Sequence, residues 1–224
     1  MADKMRIGWI GTGVMGLSMA GHLQAAGWPL TVYNRTKAKT EPLLAKGAKW
    51  ADTPRAVAEA SDVVFTIVGY PHDVEEVTLG ENGVLRGLAA GGIVCDMSTS
   101  SPVLAERIAA AAKKQGCESL DAPVTGGDVG ARDAKLSIFV GGDQAAYDRV
   151  LPCFNKMGTN ILHCGGAGFG QKGKLANQAA IAGVMISTCE SFLFAQEAGL
   201  DVSKWMELVV AGSGGSFAMN TLGR

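Results

Sequence analysis

Ile7-Gly8-Trp9-Ile10-Gly11-Thr12-Gly13-Val14-Met15-Gly16 decides the fold of this chain. Three of its glycines stand at G-x-G-x-x-G spacing. In that pattern Gly11 permits a tight turn off a strand, Gly13 lets backbone approach a pyrophosphate, and Gly16 lets the next helix pack close to the sheet. The helix N-terminus then faces the anion. Glycines at this spacing also occur in ordinary loops, so the flanks carry the argument. Met5–Ile10 is short and apolar, as a buried parallel strand should be. From Val14 to Ala26 the apolar residues Val14, Leu17, Met19, Ala20, Leu23 and Ala26 recur near helical spacing, and Gly27 supplies a stop. Leu30–Tyr33 reads as a second strand. The expectation is a dinucleotide site contacted by Gly11, Thr12, Gly13, Val14 and Met15.

The end of that second strand, Thr31-Val32-Tyr33-Asn34-Arg35-Thr36, selects the cofactor electrostatically. A site for NAD usually places Asp or Glu here to bind the ribose hydroxyls, and such a carboxylate would repel a 2′-phosphate. This chain has neutral Asn34, the guanidinium fork of Arg35, suited to phosphate and to stacking on adenine, and the Thr36 hydroxyl. NADP is therefore the expected cofactor, with NAD the weaker alternative. The competing reading makes Arg35 a solvated loop charge.

Composition fits an α/β enzyme. The 224 residues suffice for one large domain, or one plus part of another. A net charge of −1 suggests neither nucleic acid nor an anionic membrane surface as partner. The 31 glycines and 47% apolar residues suit a sheet covered on both faces and joined by tight loops. Cys95, Cys117, Cys153, Cys164 and Cys189 are widely spaced and form no C-x-x-C pair, so they read as small buried hydrophobes in a reducing compartment. His22, His72 and His163 are scattered without metal-ligand spacing; no metal is expected, and each reads as a satisfied structural histidine. Met1–Arg6 is charged and runs straight into the first strand, which leaves no room for a signal peptide and makes a cytoplasmic protein the expectation.

Along the chain, β-rich apolar runs alternate with helical patterns, the order of a doubly wound parallel sheet. Asp62–Val68 and Gly92–Cys95 are strand candidates. Pro102–Gly116 is an alanine-rich helix opened by Ser100, Ser101 and Pro102, and Ser119–Asp121 and Leu136–Val140 extend the sheet. Ligands of such sheets sit beyond the carboxyl ends of the strands. That places Val68-Gly69-Tyr70-Pro71 and Asp96-Met97-Ser98-Thr99 on the rim beside Gly11–Gly16, with Val68, Gly69, Tyr70 and Thr99 as further cofactor contacts. The fold class is a Rossmann-type α/β domain, residues 1–166, followed by the start of an all-helical domain, residues 167–224.

Two later segments supply what a nucleotide domain alone lacks. In Asp121-Ala122-Pro123-Val124-Thr125-Gly126-Gly127, a proline-stiffened strand end leads to a hydroxyl and two glycines, whose exposed N–H groups can grip a small carboxylate. An ordinary turn fits that segment as well. In Gly168–Gln178 a helix opens that runs to about Ala198, with Lys174, Asn177, Gln178, Ile181 and Met185 on one face. A lysine and two amides on a small, apolar face need a reason, functional or structural; Lys172 lies on another face and reads as a solvated charge. From Ala179 to Cys189 the helix is apolar nearly all round, yet at about twelve residues the run falls short of the roughly twenty a membrane span needs. Such a helix needs neighbours on all sides, and only Ser203–Val210 follows as a convincing helix. Gly212–Arg224, rich in Gly and Ser, reads as poorly ordered. The missing cover must come from absent C-terminal sequence, a second subunit or both, and an exposed apolar helix favours at least a homodimer.

The fingerprint Gly11–Gly16 with its Met15, the rim Asp96–Thr99, the loop Asp121–Gly127 and the helix Lys174–Gln178, in this order, resemble the β-hydroxyacid dehydrogenase family. That family includes 3-hydroxyisobutyrate dehydrogenase and the tartronate, glyoxylate and succinic semialdehyde reductases. The resemblance implies that Thr125, Gly126 and Gly127 bind a substrate carboxylate, that Lys174 is catalytic, and that Asn177 and Gln178 lie where an amide steadies the substrate. Thr125 stands where serine is usual and Gln178 where asparagine is frequent, although Asn-Gln after the lysine is similar to the tartronate semialdehyde branch. Members continue further in a helical domain, so the chain resembles a truncated form. The implied reaction interconverts a small 3-hydroxy acid and its semialdehyde. Lys174 would be proton donor in reduction and acceptor in oxidation, its pKa drawn down from the ordinary ~10.4 by burial. A non-catalytic NADP-binding scaffold and a decarboxylating 6-phosphogluconate relative are the alternatives.

Overall fold

Alternate residues of the central strands enter opposite cores, which is how a sheet covered on both faces is built. Ile7 and Trp9 join one buried cluster with Met19, Leu23, Val32 and Phe65, whereas Ile10 joins another with Val57, Val64, Val94 and Ile108. Trp9 stacks on Phe65 at 5.5 Å, and Phe65 meets Phe154 edge-on at 6.1 Å.

The computed structural model describes residues 4–222. In chain order the elements are β1 (Ile7–Ile10), α1 (Gly16–Ala25), β2 (Leu30–Tyr33), α2 (Glu41–Leu44), β3 (Lys49–Trp50), α3 (Pro54–Glu59), β4 (Val63–Thr66), α4 (Pro71–Leu79), β5 (Ile93–Asp96) and α5 (Pro102–Lys113). There follow β6 (Glu118–Asp121), β7 (Val124–Thr125), α6 (Gly127–Arg132), β8 (Leu136–Gly142), α7 (Gln144–Phe154), β9 (Gly158–Gly165), α8 (Phe169–Glu197), α9 (Val202–Val210) and α10 (Phe217–Leu222). Helix starts follow local rules. Thr53 accepts from Ala56 N with Pro54 opening α3, Ser101 accepts from Leu104 N with Pro102 opening α5, and Asp143 accepts from Ala145 N and Ala146 N to open α7.

The strands lie in the order β3-β2-β1-β4-β5-β6-β8-β7, with β9 paired to β8. From β3 to β6 every pairing is parallel. The parallel-dominated sheet agrees with the expected doubly wound fold, and its direction changes at β8, which runs antiparallel to β6 and β7 and parallel to β9. Between β7 and β8 only residues 126–135 intervene, including the six-residue α6, too little chain for the crossover that parallel pairing of those two needs.

The chain divides into two compact units, Met1–Lys174 and Leu175–Arg224, so the division falls inside α8. The sequence division at 166/167 follows the last strand instead. Several expectations are corrected. Gly212–Arg224 is not without structure, since α10 forms over Phe217–Leu222, opened by Ser216 Oγ accepting from Met219 N at 3.0 Å; Gly223 and Arg224 lie outside the described residues. Helix α8 is 29 residues long, with a window of mean hydropathy 1.4, so by length and composition it could cross a membrane; the sequence estimate counted only the uninterrupted apolar run. Cys95, Cys117 and Cys153 are buried, but Cys164 is half-buried and Cys189 exposed, because the α8 segment carrying Cys189 lacks cover within this chain. His22 and His163 bond the carbonyls of Ala131 and Gly142 at 2.9 Å. His72 instead is exposed and stacks on Tyr70 at 5.6 Å.

Candidate active site

The carboxyl ends of β1, β2 and β4 open a cleft of about 900 Å³, at the upper end of the usual ligand-pocket range. Gly11, Gly13, Val14, Met15, Asn34, Arg35, Thr36, Val68, Gly69 and Tyr70 line it. Gly11 has φ +96°, and a Cβ there would collide with the Ile67 carbonyl oxygen. A Cβ on Gly16 would collide with the Gly11 carbonyl, whereas one on Gly13 would meet nothing within 4 Å. The backbone at Gly13 is therefore bare toward open space, a cradle that fits a pyrophosphate. Trp9 Nε1 donates to Gly11 O at 2.8 Å and braces the turn from below. The first turn of α1 carries no acidic residue, so no carboxylate of its own opposes an anion at its positive end.

Thr12 and Thr99 do not line the cleft. Thr12 is buried, its Oγ1 has no hydrogen-bond partner, and its N–H donates to Asn34 Oδ1 at 3.0 Å; Thr99 is exposed. Asn34 also donates from Nδ2 to Thr36 O at 2.9 Å, so it staples the β1 and β2 loops together. The Arg35 side chain is 90% exposed and 3.7 Å from Asp73 Oδ1, a loose pair that leaves the guanidinium free to engage an anion. Lys39 lines the same cleft and was missed by the sequence reading. The signal was present as three basic residues in Arg35–Lys39; the fold separates them, placing Lys37 over the Trp50 ring at 4.9 Å.

Beyond the cleft, Thr125 is half-buried and Gly126 and Gly127 are exposed, with φ of +128° and +65°. Their N–H groups open α6. Lys174 is only 7% exposed, and among the described residues no carboxylate ion-pairs with it. Burial pushes its ammonium below the ordinary lysine range. Lys174 is not among the residues lining the cleft, but its helical turn is bonded to the rim. Gln171 Nε2 donates to Ser98 O at 2.8 Å, and Ser98 Oγ accepts from Val68 N at 2.9 Å, in the cleft wall. Asn177 and Gln178 follow on α8 in the second unit, where Asn177 Nδ2 donates to Gln178 Oε1 at 3.3 Å. Asp96, at the end of β5, is buried and accepts on one oxygen from Thr66 Oγ1, Ser98 N and Ser98 Oγ. Burial raises its carboxyl to about 6 against those bonds.

This sheet order, glycine turn and cleft define a dinucleotide-binding domain of the Rossmann class. The family model for the NAD binding domain of 6-phosphogluconate dehydrogenase matches residues 6–166, and that for the NAD-binding domain of NADP-dependent 3-hydroxyisobutyrate dehydrogenase matches residues 168–224. The chain belongs to the β-hydroxyacid dehydrogenase family. It is 52% identical to the Arabidopsis thaliana protein named "Probable 3-hydroxyisobutyrate dehydrogenase-like 1, mitochondrial", over 99% of this chain and 66% of that one. It is 42% identical to the 2-hydroxy-3-oxopropionate reductase of Escherichia coli, over 93% and 71%. The solved 3-hydroxyisobutyrate dehydrogenase of Mycobacterium tuberculosis superposes with a TM-score of 0.87 at 29% identity, covering 97% of this chain and 74% of that one. The chain thus spans about two thirds to three quarters of the length of these relatives. The second family match also accounts for the apolar α8, which falls within it.

Proposed function

We propose that this protein interconverts a small 3-hydroxy acid and its semialdehyde with NADP(H), using Lys174 as general acid in reduction and general base in oxidation. The observation that carries this is a buried lysine without an acidic partner among the described residues, on a turn hydrogen-bonded to the wall of the nucleotide cleft. A largely buried lysine without a carboxylate partner among the described residues is costly to keep charged, and a catalytic role is a reason to keep one. When bound, the nicotinamide supplies the hydride. Lys174 polarises the substrate carbonyl and gives its proton to the oxygen as negative charge develops there. Thr125 and the N–H groups of Gly126 and Gly127 hold the carboxylate, and Asn177 and Gln178 orient the rest of the substrate.

The 2′-phosphate is met by Arg35 with Lys39 and Thr36, and no carboxylate occupies the end of β2 to repel it. 3-Hydroxyisobutyrate leads as substrate class, with tartronate, glyoxylate and succinic semialdehydes as alternatives. A location in the cytoplasm and assembly into at least a homodimer are parts of the same proposal. A panel of small semialdehyde acids assayed with NADPH and with NADH tests it: turnover with one of them and NADPH preferred supports the reading. Cofactor binding without turnover on any substrate would favour the non-catalytic scaffold.

A further inference from the structure

Gln171 is fully buried, and both of its side-chain hydrogen bonds go to one short segment. Its Nε2 donates to Ser98 O at 2.8 Å, and its Oε1 accepts from Ser100 N at 2.8 Å. Its backbone N–H donates to Asp121 Oδ2 at 2.8 Å, and Gly168 N donates to Asp121 Oδ1 at 2.8 Å. Asp121 thus caps the opening turn of α8 while ending β6 and starting the Asp121–Gly127 loop. The contact is too close for any side chain between helix and sheet. A Cβ on Gly170 would collide with the carbonyl oxygens of Asp121 and Phe139, and one on Gly141 would come within 2.6 Å of Gly170 N.

Three features of the site, the rim after β5, the substrate loop and the turn bearing Lys174, therefore meet at two side chains that the catalytic reading does not use. We propose that Gln171 and Asp121 are positioning residues, a clamp that holds Lys174 in register with the cofactor rim and keeps its ammonium out of bulk water. Lys174 follows Gln171 by three residues, on the adjacent position of the same helix face. A tilt of the first turn is passed directly to Nζ, and a shift of about 1 Å in a catalytic group can cost about 100-fold in rate. Burial raises the Asp121 carboxyl above its ordinary range, partly offset by the bonds from Gln171 and Gly168.

This inference rests on Lys174 being the acid–base, and the test separates the two. Gln171→Met keeps the length and removes both side-chain bonds. Gln171→Glu keeps the acceptor for Ser100 N and regains a donor for Ser98 O only when protonated. In the full chain, Gln171→Met and Asp121→Asn are expected to lower kcat by about 10- to 100-fold with the KM for NADPH held within twofold. Gln171→Glu is expected to recover relative to Gln171→Met as the pH falls. The acylation midpoint of the Lys174 amine, read by mass spectrometry against pH without any turnover, should rise toward that of an ordinary lysine in Gln171→Met, or in Gln171→Glu above its own titration if Gln171→Met does not fold. An inactive Lys174→Ala beside Gln171 variants with kcat within twofold of the parent and an unmoved midpoint would overturn the clamp alone. A fully active Lys174→Ala would overturn the catalytic reading and the clamp with it.

Discussion

At the scale of single residues, charge is placed by burial and by the absence of acids. Lys174 has its pKa depressed by desolvation, so on the proposed mechanism, in which reduction uses the protonated amine, reduction should lose rate as pH rises through a midpoint below the ordinary ~10.4. Oxidation, which uses the neutral amine, should gain rate over the same interval. Initial rates in both directions across pH check this, and parallel profiles would count against it. Arg35 lies on the cleft wall with only a loose partner. Arg35→Ala should cost about 1.5–3 kcal/mol, or roughly 10- to 150-fold, in NADP affinity and little in NAD affinity, since a charged hydrogen bond to phosphate is lost; equal losses in titrations with the two cofactors would refute the selector. For Asp96, raised from 3.8 to about 6 by burial, the sign runs opposite to a salt-bridged acid. The folded state holds the proton more tightly, so this contribution to stability is complete below 3.8 and is lost as pH rises through about 6. The free energy of unfolding should therefore gain up to about 3 kcal/mol from this group between pH 6.5 and 3.5, and Asp96→Asn should remove that increment. Denaturant titrations at the two pH values read it directly.

At the scale of elements, the fingerprint is a packing device as much as a binding one. Gly16 touches the Gly11 carbonyl and Ile67 Cγ2 so closely that a methyl group cannot enter without moving α1 off the sheet. Gly16→Ala should cost about 1–3 kcal/mol in stability and weaken both nucleotides together, unlike Arg35→Ala; a melting temperature unchanged from the parent would contradict it. This local character explains why β1, α1, β2 and most of the residues that line the cleft could be read from sequence: spacing and chemistry lie within a few residues. β9 could not be read that way. Its residues are mostly half-buried or exposed without clean alternation, because it lies at an edge of the sheet. α7 hides behind Pro152 near its end, a residue that normally breaks a helix. Gln171 escaped notice because its partners Ser98 and Ser100 lie 73 and 71 positions away, and no spacing rule reaches that far. For Lys174 the proposed catalytic role rests on the resemblance of its motif, since composition alone leaves a structural role open.

At the scale of the whole molecule, the first unit closes its core whereas the second, taken by itself, does not. Phe194 is 75% exposed and Leu208 77%, an apolar display larger than an isolated domain usually carries. Self-association is the expected consequence. Sedimentation velocity should give a dimer or larger species, reduced toward monomer by Phe194→Asp; a monomer at every concentration would contradict it.

The most direct test of the central claim is single-turnover NADPH oxidation by the full-length protein carrying Lys174→Ala, with NADPH binding measured in parallel by fluorescence. The account predicts intact binding and loss of turnover on every semialdehyde acid that the parent reduces. Undiminished turnover in that variant would contradict it.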